Sequence, residues 1–131
     1  MTAALFDFHG TIAQVEEPIR RVVRAAAACG VDLPEDRATG LAAALVAAGL
    51  AGGPLPARVP PAVLASWERR DLTAEDHRAA YTGLAAEVDS GIDGLPTALY
   101  DRLLTPDGGR PTPTPCRCWP PCGRPACRWW W

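Results

Sequence analysis

Apolar residues recur at helical spacing from just beyond Thr11 to about Leu104, a pattern that predicts a series of helices. Breakers such as Gly30, Gly49 and Pro106 divide this region. The predicted helices lie near residues 18–30, 34–49, 63–67, 73–88 and 96–104. A proline-rich loop separates the second helix from the third. We therefore expect a chain that is mostly α-helical.

The helix starts and the buried faces also follow from local chemistry. Pro18 suits a first turn, and Thr73 is predicted to cap the fourth helix, with Glu75 and Asp76 in its first turn. Helical spacing predicts apolar stripes at Ile19, Val22, Val23 and Ala26; Leu41, Ala44, Leu45 and Ala48; Ala80, Tyr81, Leu84 and Val88; and Leu99, Tyr100 and Leu103.

The first residues have a different pattern. A short apolar run at residues 3–6 predicts a buried strand, and Asp7 stands at its carboxyl end, where open α/β sheets bind ligands. Gly10 permits a sharp turn, and Thr11 offers a hydroxyl and a backbone N–H to an anionic group. Asp7 is thus placed to act as a nucleophile. The alternative is that Asp7 is a turn or cap residue and His9 a solvent-facing loop histidine.

The segment from Asp7 to Thr11 resembles motif I of the haloacid dehalogenase (HAD) superfamily of hydrolases, Asp-x-Asp-x-Thr after an apolar strand, at every position except His9. The resemblance implies an α/β fold with a Rossmann-like core, which is incomplete in this chain. It makes Asp7 the nucleophile that forms a covalent aspartyl intermediate, and Gly10 and Thr11 substrate-binding residues. It also implies Mg²⁺, held by the Asp7 carboxylate and the backbone carbonyl of His9.

His9 occupies the position of the general acid/base in phosphatases of this family. Imidazole, with a reference pKa of about 6.5, still exchanges protons near neutral pH. Because family members that break other bonds carry other residues here, two small-molecule substrate classes stay open: phosphorylated compounds and halogenated or other organic acids.

The resemblance also divides the chain into three parts. Residues 1–13 form the first strand and motif I loop, residues 14–105 a helical cap that closes over an active site, and residues 106–131 an irregular tail. His77, Arg78 and Arg70 are candidates to contact a substrate, although a solvated helix face is the simpler interpretation. Trp67 and Tyr81 are predicted to be core anchors.

The remaining HAD motifs have no credible place in the sequence. Motif II needs Ser or Thr, motif III needs Lys or Arg, and motif IV needs an acidic pair; the chain contains no lysine at all. One carboxylate and one carbonyl make a weak magnesium site. We therefore expect a truncated hydrolase that is inactive, with a non-catalytic helical interaction module as the alternative.

The tail is rich in Pro, Arg, Cys and Trp, and it permits two interpretations. Its cysteines predict a zinc site only weakly, because they lack paired C-x-x-C spacing: Cys116, Cys118, Cys122 and Cys127. The second interpretation of the tail is a slip of the reading frame near Gly108. Read one base earlier, synonymous codons from Gly109 onward can encode W-x-A-Y-P-D-T-V-P-V-L-A-A-L-R-A-A-G-V-P-V-V-V. That string has the pattern of the helix and strand that lead into motif II.

Length and net charge limit the classes of partner that the sequence predicts. The 131 residues suit a single domain, and a net charge of −2 gives no electrostatic reason to expect binding to nucleic acid or to an anionic membrane. The longest apolar stretch, residues 41–50, is too short to cross a bilayer, and the N-terminus lacks the pattern of a secretory signal. We expect a cytoplasmic location.

Overall fold

The structure is a computed structural model and describes residues 13–105 and 109–111. The described chain is mostly α-helical, as the pattern predicts. The helices are α1 (Pro18–Ala28), α2 (Glu35–Ala48), α3 (Leu64–Arg69), α4 (Ala74–Ala86) and α5 (Leu95–Leu103). All five predicted helices are thus present, and the loop between the second and third is confirmed. The predicted α/β core involves residues outside the described ranges, and nothing in those ranges supports it.

Specific caps fix where the helices begin and end. The Glu17 carboxylate accepts a hydrogen bond from the backbone N–H of Arg20 at 3.1 Å, in the first turn of α1. The predicted cap at Thr73 is confirmed, because its hydroxyl oxygen accepts from the N–H of Asp76 at 3.0 Å. Gly49 ends α2 with a φ of 111°, a left-handed conformation that favours glycine. These contacts satisfy backbone groups that helix ends leave unpaired.

The five helices from α1 to α5 pack into one unit, here called the helical body, with α5 at its centre. The first helix packs against α2 and α5, and α4 packs against α3 and α5. The core cluster consists of Val22, Ala25, Ala26, Leu33, Ala38, Leu41, Ala42, Leu45, Leu50, Ala85, Ile92, Leu95 and Leu99. Within α2, the predicted burial of Ala44 is wrong: Ala44 is exposed, and Ala38 and Ala42 are buried instead. In an alanine-rich helix the stripe is weakly marked, so its orientation depends on the neighbouring helices.

Two short strands flank the helical body, one before α1 and one after α5, and they pair with each other. β1 (Ala13–Val15) and β2 (Gly109–Pro111) pair antiparallel, with Val15 opposite Gly109 and Ala13 opposite Pro111. The apolar pattern did not predict either strand, because three residues carry no recognisable period. The strand predicted at residues 3–6 lies outside the described residues. Within the described ranges, no helix is long and apolar enough to cross a bilayer.

Candidate functional site

The structure does not describe the residues that carry the resemblance to motif I. Four predicted site residues lie outside the described residues: Asp7, His9, Gly10 and Thr11. So do the tail cysteines: Cys116, Cys118, Cys122 and Cys127. Their assigned roles stay predictions. The structure does describe the junction at which the helical body joins the segment that contains Asp7.

A buried carboxylate lies at this junction, directly after β1. The Glu16 side chain is 6% exposed, and its Oε2 accepts from Nε of Arg102 at 2.7 Å. Its Oε1 accepts from Nη2 of Arg102 at 3.1 Å and from Nη1 of Arg24 at 2.8 Å. Hydrogen bonds between charged groups are stronger than neutral ones, and the two guanidinium groups compensate the buried charge. Because Arg102 belongs to α5, this contact joins segments 86 residues apart.

A second buried charge lies one turn into α1. Arg21 is only 1% exposed, and its Nη1 donates to the carbonyl of Ala51 at 2.6 Å. Its Nε and Nη2 donate to the carbonyl of Leu99 at 3.3 and 2.9 Å. Burial lowers the pKa of Arg21 to about 10, and the nearby Glu16 carboxylate opposes that shift. The side chain therefore stays protonated at neutral pH and ties α1 both to α5 and to the loop after α2.

The roles of Glu16 and Arg21 were not predicted from the sequence. A signal for Arg21 exists, because it lies on the same helical stripe as Val22, Ala25 and Ala26. A charge on an apolar stripe indicates a buried group that needs specific partners. No comparable signal marks Glu16, since its principal partner is distant in the sequence.

A shallow pocket of about 170 Å³ opens beside the junction. It lies between residues 15–18 and 50–54, and Val46, Leu50 and Ala51 give it apolar walls. Glu16 and Arg21 also line it, but both already bond to protein groups. The pocket thus offers apolar space and no nucleophile.

His77, a candidate for substrate contact, packs among aromatic side chains of the helical body. Its Nδ1 lies 2.7 Å from the hydroxyl oxygen of Tyr100, in a hydrogen bond whose donor depends on the His77 tautomer. The His77 and Tyr81 ring centroids are 4.8 Å apart. Burial raises the pKa of Tyr100, and the nearby Arg78 opposes that shift. The pair joins α4 to α5, an arrangement that favours a structural role for His77.

Arg70 and Arg78, the other two candidates for substrate contact, each lie over an aromatic ring of the helical body. The guanidinium of Arg70 lies 4.3 Å above the Trp67 ring. Arg78 pairs with Asp101 at 2.8 Å and lies 5.2 Å above the Tyr100 ring. These contacts are typical of cation–π interactions, which hold charged side chains against a protein surface. Contact of either arginine with a substrate stays a prediction.

The predicted core anchors meet each other at the edge of the body. Trp67 and Tyr81 pack edge to face with centroids 5.7 Å apart, and both are half-buried. Edge-to-face packing of this kind stabilises aromatic pairs. The pair anchors α3 on α4 and lies outside the main apolar cluster.

The described residues also bear on metal binding. Across residues 13–105 and 109–111, no three His, Cys, Asp or Glu side chains lie close enough together to hold an ion. The Mg²⁺ ligands implied by the resemblance, Asp7 and the carbonyl of His9, are outside these ranges. Mg²⁺ binding therefore stays a prediction.

Comparison of the chain with protein-family models, curated proteins and solved structures found no match. The HAD resemblance accordingly depends on the segment from Asp7 to Thr11 and on the helical region that follows it.

Proposed function

We propose that this chain derives from a HAD-like hydrolase, with Asp7 as the nucleophile and residues 14–105 as the helical cap. Its substrate is a small phosphorylated compound or a halogenated or other organic acid. Motifs II, III and IV have no credible place in the sequence as given, so we expect this polypeptide by itself to be inactive.

The meeting of the two ends of the helical body, through Glu16 and Arg102, is the observation that carries this proposal. A domain inserted into another must leave its host and return to it at neighbouring points. Here Glu16, at the entry to the helical body, binds Arg102, near the end of α5, at 2.7 and 3.1 Å, so the entry and the exit lie side by side before Gly108 is reached. The helices between them have their own apolar core. This geometry supports an insertion that follows directly after the Asp7 segment.

The proposed chemistry assigns one task to each residue of the segment. The Asp7 carboxylate attacks phosphorus or carbon, and the bond to the leaving group breaks. Water then hydrolyses the covalent intermediate, an aspartyl phosphate in the first case and an aspartyl ester in the second. His9 transfers the proton that the leaving group or the water requires. Gly10 and Thr11 donate hydrogen bonds to the anionic part of the substrate. Mg²⁺, when bound, offsets the repulsion between Asp7 and that anionic part.

The test begins with the DNA across the codon of Gly108. We expect the frame one base earlier to stay open and to encode a Ser or Thr after a Val-rich strand, then a Lys or Arg and an acidic pair. A protein translated in that frame should hydrolyse p-nitrophenyl phosphate, or release halide from a 2-haloacid, in the presence of Mg²⁺. Asp7→Asn should lower the rate by at least about 1,000-fold, because it removes the nucleophile.

The matched control is Asp32→Asn, which makes the same change at an exposed position of the helical body and should leave the rate unchanged. Early stop codons in the alternative frame would contradict the descent. Full activity in Asp7→Asn would remove Asp7 as the nucleophile. Turnover by the present chain at ordinary enzymatic rates would show that the missing motifs are not needed.

A further inference from the structure

The ladder that joins the two ends of the helical body is too short to be stable by itself. It has three residue pairs, and isolated two-stranded ladders are marginal in water. Pro111 has no N–H to donate, and Gly109 brings no side chain to the pairing. Contacts beside the ladder must therefore hold β1 and β2 together.

Glu16 is the strongest of these contacts. It follows β1 directly, and Arg102, which it binds at two points, lies near the end of α5, where the chain turns toward β2. Arg24 holds the same carboxylate from α1. The Glu16–Arg102 pair is largely buried, with 6% and 17% of the two side chains exposed, so solvent screens it little. One carboxylate thus fixes the entry segment against the first helix and the last.

Packing on the other side of β1 gives less support. The Val15 side chain lies against Gly52, where an added Cβ would come within 3.2 Å of both of its methyl groups. That contact positions β1 over the loop after α2. The same Cβ position lies 3.8 Å from Cδ1 of Leu103 in α5, so this packing adds a small apolar contact beside the ionic one.

We propose that Glu16, with Arg24 and Arg102, forms an ionic latch that keeps the entry and exit of the helical body paired. With the latch closed, the two connections act as one ribbon, and β1 keeps a fixed position beside the end of α5. With the latch open, each connection moves separately. The latch follows from the described contacts alone; its use in setting the position of a cap rests on the proposed function.

The test compares Glu16→Gln with Glu17→Gln in the full chain. Gln keeps the shape of Glu16 but removes the charge that binds two guanidinium groups. Hydrogen exchange of the β1 and β2 amides, followed by NMR, should become at least about tenfold faster in Glu16→Gln. Exchange within α1 and α2 should stay unchanged. Glu17→Gln, which makes the same change at the exposed neighbour, should leave the ladder protected.

A second variant covers the outcome in which Glu16→Gln disturbs the whole fold. Arg102→Lys keeps the positive charge but cannot make the two-point contact, so the ladder amides should exchange faster than in the original chain and slower than in Glu16→Gln. Unchanged ladder exchange in both variants would overturn the latch. Equal acceleration in every helix would also overturn it, because Glu16 would then stabilise the body as a whole. No substrate is involved, so this result is independent of whether Asp7 is a nucleophile.

Discussion

The helical body has two regions that are held together in different ways. The helices α1, α2 and α5, here called the inner helices, bury large apolar side chains such as Val22, Leu45 and Leu99 almost completely. The α3–α4 hairpin buries less: α4 buries Ala80, Leu84 and Ala85, and α3 has no buried residue at all. Local stability generally follows buried contact, so the hairpin should open before the inner helices do.

The contacts of the hairpin explain why it is the weaker region. Its stacked pair, Arg70 on Trp67, is only partly buried and contributes about 1 kcal/mol. The ion pair between Arg69 and Asp76 spans 3.2 Å and is open to solvent on the Arg69 side, so it adds little. If the body is a cap, the hairpin is the part that can adapt to a ligand while the inner helices keep their shape.

Removal of Arg21 should have the largest effect and should remove the difference between the regions. Arg21→Ala removes a large buried side chain together with its hydrogen bonds to the carbonyls of Ala51 and Leu99, and we expect a loss of about 3 kcal/mol or more in the free energy of unfolding. Urea denaturation should show all helices unfolding together at lower urea. Arg20→Ala, at the exposed neighbour, should cost less than about 0.5 kcal/mol. A loss below about 1 kcal/mol in Arg21→Ala would mean that the inner helices do not depend on this side chain.

A glycine at the contact between the end of α2 and α4 should have the next largest effect. Gly49 has a positive φ, and an added Cβ would lie 2.9 Å from Cδ1 of Leu84 in α4. Gly49→Ala should therefore lower the free energy of unfolding by about 2 kcal/mol, measured by thermal or urea denaturation.

The control for this change lies within the same helix. Nothing lies within 4 Å of a Cβ added at Gly40, so Gly40→Ala should raise stability by about 0.5–1 kcal/mol through better helix propensity. Similar losses of stability in both variants would show that the close contact with Leu84 is not what makes Gly49 necessary.

The same contrast shows what the sequence could reveal. Helix ends were predictable because their causes are local: Thr73 caps within three residues, and Gly49 stops α2 by its own conformation. The burial of Arg21 and the pairing of Glu16 were not, since their partners lie 78 and 86 residues away. β1 was missed for the same reason, because the strand with which it pairs lies at the other end of the helical body.

The candidate site divides along the same line. Asp7 and Thr11 stand out in the sequence because a nucleophile and a turn form one short segment. From the sequence, His77 belongs to the polar face of a predicted helix. The structure places it against Tyr81 and Tyr100, where it forms a contact between two helices. Chemistry contained in one segment can be predicted; chemistry assembled by packing requires the fold.

The smallest predicted effect is also the most local and tests whether the hairpin opens separately. Thr73→Ala removes the hydroxyl oxygen that accepts from Asp76 N–H, and loss of such a cap costs about 1 kcal/mol. Hydrogen exchange should accelerate several-fold in the first turns of α4 and in α3, while the inner helices keep their protection. Thr39→Ala, an exposed position inside α2 whose hydroxyl only donates to the carbonyl of Glu35, should change exchange little. If Thr73→Ala instead accelerates exchange equally in α1 and α5, the helical body is one cooperative unit, and a cap built on it would move only as a whole.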